Sequence, residues 1–214
     1  MTWKNPEAFP VHIKVYPAIE SSSDPTLELG DMGMLSVSGF VYQEGQWRKR
    51  PIILAPSYEH IFSRNHGILE SSLLQGKKIA IIGLGSVGSP IALELAKCGI
   101  TDFYLLDYDR LELGNLSRHV NGLSDVGRFK TNAVADAIRE KNPYAFIQTS
   151  EEKVQWSNFS ELSEQLEGKD LVICMLDEQK GRQIVNQICV KSDIPCIFAG
   201  AFRRAYGGQV LRVQ

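Results

Sequence analysis

Gly83-Leu84-Gly85-Ser86-Val87-Gly88 reads G-x-G-x-x-G. It follows the apolar run KKIAII, which predicts a strand. It opens SPIALELAKCG, which predicts a helix with Pro90 in its first turn and Gly99 as its stop. That is the setting in which such a run binds a nucleotide rather than merely turning the chain. Glycine lets the backbone turn tightly and approach a phosphate, while free N–H groups and the helix dipole favour the anion. Gly83, Gly85, Ser86 and Gly88 are therefore candidate phosphate-loop residues. Asp107 ends the next predicted strand, DFYLLDYD, where an acidic side chain accepts hydrogen bonds from ribose hydroxyls. Asp109 points the same way, one step further out. To this point a nicotinamide-dependent dehydrogenase and an ATP-using enzyme fit equally well.

The residues after Asp109 favour ATP. Asn115, Arg118 and Lys130 bring an amide and two cations beyond the strand end, where phosphates would lie. A dehydrogenase does not need them there. An enzyme that manages a triphosphate does, because charge builds on the bridging oxygen as pyrophosphate leaves. Singly, each of the three also reads as a surface-loop residue.

These groups need a scaffold, and the pattern from Lys77 onward supplies one. RFKTNAVADAIREKNP predicts a second helix, AFIQTS a third strand and WSNFSELSEQLEG a polar helix. DLVICML then predicts a fourth strand, QKGRQIVNQICVKSD a helix and PCIFAGA a fifth strand. GGQVLRV, reached through a turn at Tyr206-Gly207-Gly208, predicts a sixth. Strands alternating with helices, with the strands apolar on both faces, imply an α/β fold. The expected architecture is a Rossmann-like, mostly parallel sheet with helices on both faces. Residues 58–74 predict one or two short helices.

Before them, residues 1–57 form a small N-terminal strand-rich segment. MLSVSGFVYQEGQWRKRPIIL predicts a hairpin about Gln43-Glu44-Gly45-Gln46. Glu20–Asp31 reads as a loop, and Arg48-Lys49-Arg50 as a solvated turn. The division expected is 1–57 as an accessory segment and 58–214 as the nucleotide-binding domain.

The ordered set GxGxxG, LLDxD, NLxRH, DVGRFK and NP resembles the ThiF/MoeB/ubiquitin-activating-enzyme superfamily over roughly residues 58–213. The resemblance implies adenylation of the C-terminal glycine carboxylate of a ubiquitin-like or sulfur-carrier protein, with ATP and Mg2+ as cofactors. It places Gly83, Gly85 and Gly88 in the phosphate loop and Asp107 on the ribose, with Asn115, Arg118 and Lys130 on the phosphates. Asp177, in CMLDEQKG, matches the acidic residue that binds magnesium. The ends of neighbouring parallel strands do open into one crevice, and magnesium takes one or two carboxylates plus phosphate oxygens and waters. Asp177 would equally serve as the N-cap of the following helix. Where the family often has Asp-Asn, this chain has Asp177-Glu178.

Upstream, Arg64 falls on an arginine that in relatives reaches the ATP γ-phosphate of the partner subunit, which implies a homodimer or heterodimer. A guanidinium suits that task because it is always charged and forks onto phosphate oxygens.

Composition limits the alternatives. With 23 Lys+Arg against 25 Asp+Glu, the chain is not one that coats nucleic acid or an anionic membrane. No apolar run approaches the ~20 residues that span a bilayer, and MTWKNPEAFP has no signal-peptide core. Cys98, Cys174, Cys189 and Cys196 form no CxxC pair, so a cytoplasmic protein with reduced thiols is expected. Each reads as a small core residue rather than the acyl-accepting cysteine or zinc ligand of many relatives. The chain stops at Gln214 as a strand ends, so a C-terminally incomplete domain is expected. Three rivals remain. One is a non-catalytic partner subunit that keeps the fold. Another is adenylation of a small-molecule, peptide or tRNA-linked carboxylate. The third is a nicotinamide-dependent oxidoreductase.

Overall fold

A computed structural model of the chain describes residues 14–17, 35–43, 46–54, 58–65, 71–202 and 207–213. The chain divides into two compact units, residues 1–61 and 62–214.

In the first unit, strands β1 (Lys14–Pro17), β2 (Leu35–Gln43) and β3 (Gln46–Leu54) form an antiparallel sheet in that order. It is followed by the single helical turn α1 (Tyr58–Ile61). The register pairs Gln43 with Gln46. The two residues between them, and the loop read over 20–31, lie outside the described residues. Arg48, Lys49 and Arg50 are not a turn. They lie within β3, opposite Val41, Phe40 and Gly39, because the chain has already reversed two residues earlier.

The second unit begins with a 3-10 turn over Ser63–Asn65 and α2 (Ser71–Leu74). It then alternates β4 (Lys78–Ile82), α3 (Gly88–Cys98), β5 (Asp102–Leu106), α4 (Lys130–Lys141) and β6 (Phe146–Ser150). After these come α5 (Phe159–Leu166), β7 (Leu171–Cys174), α6 (Gln179–Lys191), β8 (Cys196–Phe202) and β9 (Gly207–Val213). The sheet order is β6-β5-β4-β7-β8-β9, parallel except for the antiparallel β9. Among the described residues no helix is long and apolar enough to cross a membrane.

A central strand covered on both faces must be apolar through its buried length, and β4 is from Ile79 to Ile82. Ile79 and Ile81 join Ala92, Ala96, Val134 and Ile138 of α3 and α4. Ala80 and Ile82 join Leu162, Leu166, Ile184 and Ile188 of α5 and α6 on the opposite face. Helices thus cover both faces of the sheet. Gly99 ends α3 in the left-handed region, φ 107°. Asn142 of the Asn-Pro pair is wholly buried. Its Nδ2 donates to the carbonyls of Ile100 (2.7 Å) and Ala96 (3.3 Å), clamping the end of α3.

From β4 the chain winds outward through β5 to β6, then returns to place β7 on the other side of β4. The strand order therefore reverses between β4 and β7, and the crevice outside their carboxyl ends is where such sheets bind ligands.

Candidate active site

A cavity of about 190 Å³ lies at that reversal. Its walls include Gly83 and Gly85 after β4, Asp107, Tyr108 and Asp109 after β5, and Lys130 at the start of α4. Lys153 and Val154 follow β6, Met175 to Glu178 follow β7, and Gly181 belongs to α6.

The glycines have separate duties. Gly83 sits at φ 91°, and a Cβ there would come within 2.9 Å of the Met175 backbone. A Cβ on Gly88 would overlap the Gly83 carbonyl, so this glycine lets α3 approach the strand end. A Cβ on Gly85 would meet nothing within 4 Å, and this glycine leaves room for a ligand. The N-cap of α3 is Val87, which supplies no side-chain acceptor. In the first turn the Ser89 N–H donates to the Gly85 carbonyl (3.0 Å) and Pro90 has none, so the Gly88 N–H is the one left to meet an anion. Ser86 is exposed beside it, while Gly88 itself is buried.

Asp107 is buried and already bonded. Its Oδ2 accepts the Leu84 N–H (2.7 Å) and its Oδ1 accepts the Asp109 N–H (2.9 Å). Burial pushes this carboxyl above the usual carboxylate range. The two N–H groups and the nearby Lys130 ammonium pull the other way. Lys130 is buried as well. Its Nζ donates to Asp109 Oδ2 (2.7 Å) and lies 4.0 Å from Asp107 Oδ1. Asp109, the second choice for the ribose, is thus the direct partner of the lysine.

Asp177 is exposed and borders the cavity. The N-cap of α6 is Glu178, not Asp177, and among the described residues no hydrogen bond or ion pair holds the Asp177 carboxylate. Asn115 and Arg118 do not line the cavity. Asn115 Oδ1 accepts the Glu112 N–H (2.9 Å) in a capping box, and Arg118 donates to the Gly114 carbonyl (2.8 Å).

Arg64 lies elsewhere again. Its neighbour Asn65 donates to the Lys97 carbonyl (3.3 Å), at the C-terminal end of α3. The glycine loop is at the other end of that helix, roughly 16 Å away.

Three further features surround the site: His119, beside Arg118, reads from the sequence as a structural loop histidine, Glu178 stands next to Asp177, and Lys153 and Gly181 belong to no motif. His119 accepts the Asn121 N–H at Nδ1 (3.1 Å), so its ring proton sits on Nε2 and donates to the Leu84 carbonyl (2.9 Å). Burial holds this histidine below its usual range. Lys153 and Glu178 form an ion pair at 2.9 Å on the cavity wall. Gly181 sits inside α6, where a Cβ would come within 2.7 Å of Leu176 Cδ1. A glycine inside a helix costs about 1 kcal/mol against alanine, and that cost was the one available signal.

Among the described residues, all four cysteines are free, and Cys174, Cys189 and Cys196 are buried. Burial pushes the Cys174 thiol up to about 12, which keeps it protonated and unreactive near neutrality.

Comparison with known proteins agrees with this geometry. The chain is 29% identical over 145 residues to the probable adenylyltransferase/sulfurtransferase MoeZ of Mycobacterium tuberculosis, covering 67% of this chain and 36% of that protein. It is 28% identical over 153 residues to ubiquitin-like modifier-activating enzyme 5 of Caenorhabditis elegans, covering 68% and 36%. The chain spans about a third of the length of these curated relatives. Among solved structures it resembles E. coli tRNA N6-threonylcarbamoyladenosine dehydratase, TcdA, in complex with ATP. There the TM-score is 0.60 at 25% identity, covering 68% of this chain and 61% of that one. The ThiF family pattern matches residues 63–214. That match runs through the whole of the second unit's sheet, and by it the chain belongs to the ThiF family.

Proposed function

We propose that the domain adenylates the C-terminal carboxylate of a ubiquitin-like or sulfur-carrier protein, using ATP and releasing pyrophosphate. The observation that carries the reading is the convergence of the glycine loop, Asp107 and Lys130 on one cavity of a ThiF-family sheet. The relatives named above as adenylyltransferase and ubiquitin-like modifier-activating enzyme, and the neighbour solved with ATP, support it.

In this reading the α3 N-terminus and the Gly83–Gly88 loop receive phosphates, and Asp107 accepts from the ribose while still holding Leu84. Lys130 supplies positive charge to the leaving pyrophosphate, joined by Asn115 and Arg118 once they leave their Glu112 and Gly114 partners. The substrate carboxylate is already ionised at neutral pH. One of its oxygens bonds to the α-phosphorus as the α-phosphorus–bridging-oxygen bond breaks, so no general base is needed. The enzyme positions reactants and neutralises charge.

The charges on the cavity wall favour a divalent cation. Lys130 is paired with Asp109, and Lys153 with Glu178. Both oxygens of Asp107 already accept N–H groups, and its Oδ1 lies 4.0 Å from Lys130. That leaves the carboxylate of Asp177 facing an incoming polyanion. Magnesium needs only one or two protein carboxylates when phosphates and waters complete its shell. The unpartnered Asp177 fits, although no group of three or more potential ligands exists among the described residues. Bound there, the ion would screen the triphosphate charge. The domain would comprise residues 58–214, with 1–57 as an accessory segment. Arg64, held away from its own chain's cavity, would serve a partner subunit.

ATP–pyrophosphate exchange with a panel of carrier proteins tests the reading. Exchange is expected with one carrier and falls roughly 100-fold or more in Lys130→Ala and Asp177→Ala. Absence of both exchange and calorimetric ATP binding would overturn it. A second reading, adenylation of a small-molecule, peptide or tRNA-linked carboxylate, is favoured by the neighbour named as a tRNA dehydratase. It predicts ATP turnover with such an acceptor and none with any carrier. A non-catalytic subunit predicts ATP binding untouched by Lys130→Ala.

A further inference from the structure

Lys153 lies in the segment after β6, and Glu178 caps α6 after β7. That segment runs back across the sheet, for a Cβ on Gly181 of α6 would lie 3.8 Å from the neighbouring Val154 Cβ. The Lys153 ammonium sits between the Tyr108 ring, just after β5, and Glu178 Oε2, 2.9 Å away after β7. The sheet order puts β4 between β5 and β7, so the three side chains bridge the end of β4. That strand delivers the glycine loop.

Exposed ion pairs on an open surface wander, but this one is backed. The Lys153 ammonium lies over the Tyr108 ring, 5.5 Å from its centroid. Its neighbour Val154 is buried, and Glu178 is anchored at the head of a 13-residue helix. All three side chains, Tyr108, Lys153 and Glu178, border the same cavity.

We propose that Lys153 and Glu178 form a strap across the nucleotide cavity, which parts to admit a nucleoside triphosphate and closes again over it. The strap sets how fast nucleotide binds and leaves, and has little effect on affinity. The inference rests on the nucleotide reading of this cavity.

Stopped-flow fluorescence of 2-aminopurine riboside triphosphate with the full chain tests it. Excess EDTA keeps any metal contact of Glu178 out of the measurement. An exposed ion pair allows roughly two- to five-fold effects. Lys153→Met and Glu178→Gln are each expected to raise both the association and the dissociation rate by that factor, with Kd changing less than about two-fold.

The two substitutions change the local charge in opposite senses. If the residues acted only through their field, losing Lys153 would slow association and losing Glu178 would speed it. Opposite signs therefore overturn the strap, and a shared sign supports it. The double variant should be no faster than either single one, because both remove the same contact. The swapped pair, Lys153→Glu with Glu178→Lys, should return toward the original rates. Binding with unchanged rates in every variant overturns the strap and leaves the nucleotide reading standing. No binding of the nucleotide to the unaltered chain overturns both.

Discussion

Leu84 is held from both sides. Asp107 takes its N–H, and His119 gives a proton bond to its carbonyl. Two residues from the β5–α4 connection thus fix the phosphate loop by its backbone. Asp107→Ala leaves the buried Leu84 N–H without its partner. It should cost about 1–3 kcal/mol in chemical denaturation, beyond any loss of ATP affinity. A change confined to affinity would assign Asp107 to the ligand alone.

His119 carries a pH signature. Burial holds it below the usual histidine value, so the unfolded chain takes up a proton more readily than the folded one. Stability therefore falls as pH drops through the ordinary value near 6.5, and the loss is complete only below the folded value. His119→Gln keeps a donor and an acceptor but does not titrate. Its melting temperature should fall less than the unaltered chain's between neutral and mildly acidic pH. Parallel pH profiles would sink the assignment.

At the scale of elements, the glycine run joins a strand end to a helix start, and its members can be separated by experiment. Gly88→Ala forces a methyl against the Gly83 carbonyl, backbone that cannot swing aside. It should destabilise the fold by about 1–3 kcal/mol. Gly85→Ala meets open space. It should leave stability within about 0.5 kcal/mol while weakening ATP binding roughly ten-fold or more, since its methyl occupies the place of a phosphate. Equal effects of the two on stability would contradict this division. The Asn-Pro pair belongs to this scale too. It reads as a motif, yet Asn142 works as a clamp between α4 and α3, its amide held on the carbonyls of Ala96 and Ile100.

At the scale of the whole molecule, the placement of Arg64 makes a dimer the question to ask. The 3-10 turn that bears it is tied to the far end of α3 from the phosphate loop. If Arg64 serves a partner, mixing inactive Arg64→Ala with inactive Asp177→Ala should restore about a quarter of the sites, since half the dimers are mixed and each has one complete site. No recovery on mixing, with both proteins folded, would remove the trans role.

The sequence alone determined the order of strands and helices, because apolar runs and glycine stops are local signals. It also determined the glycine run and the acidic residue at the end of β5, because those follow from position on a single strand–turn–helix unit. Arg48-Lys49-Arg50 reads as a turn only when its charge is taken by itself; the hairpin expected about Gln43–Gln46 already puts these residues in the returning strand. Only the tertiary structure decided which polar residues meet. Lys130 pairs with Asp109 through the crossover loop, and His119 reaches Leu84 across 35 positions. Lys153 meets Glu178 because the segment after β6 runs back across the sheet and packs Val154 against α6. Those contacts join residues distant in the chain, and a distance through space has no local signature in sequence.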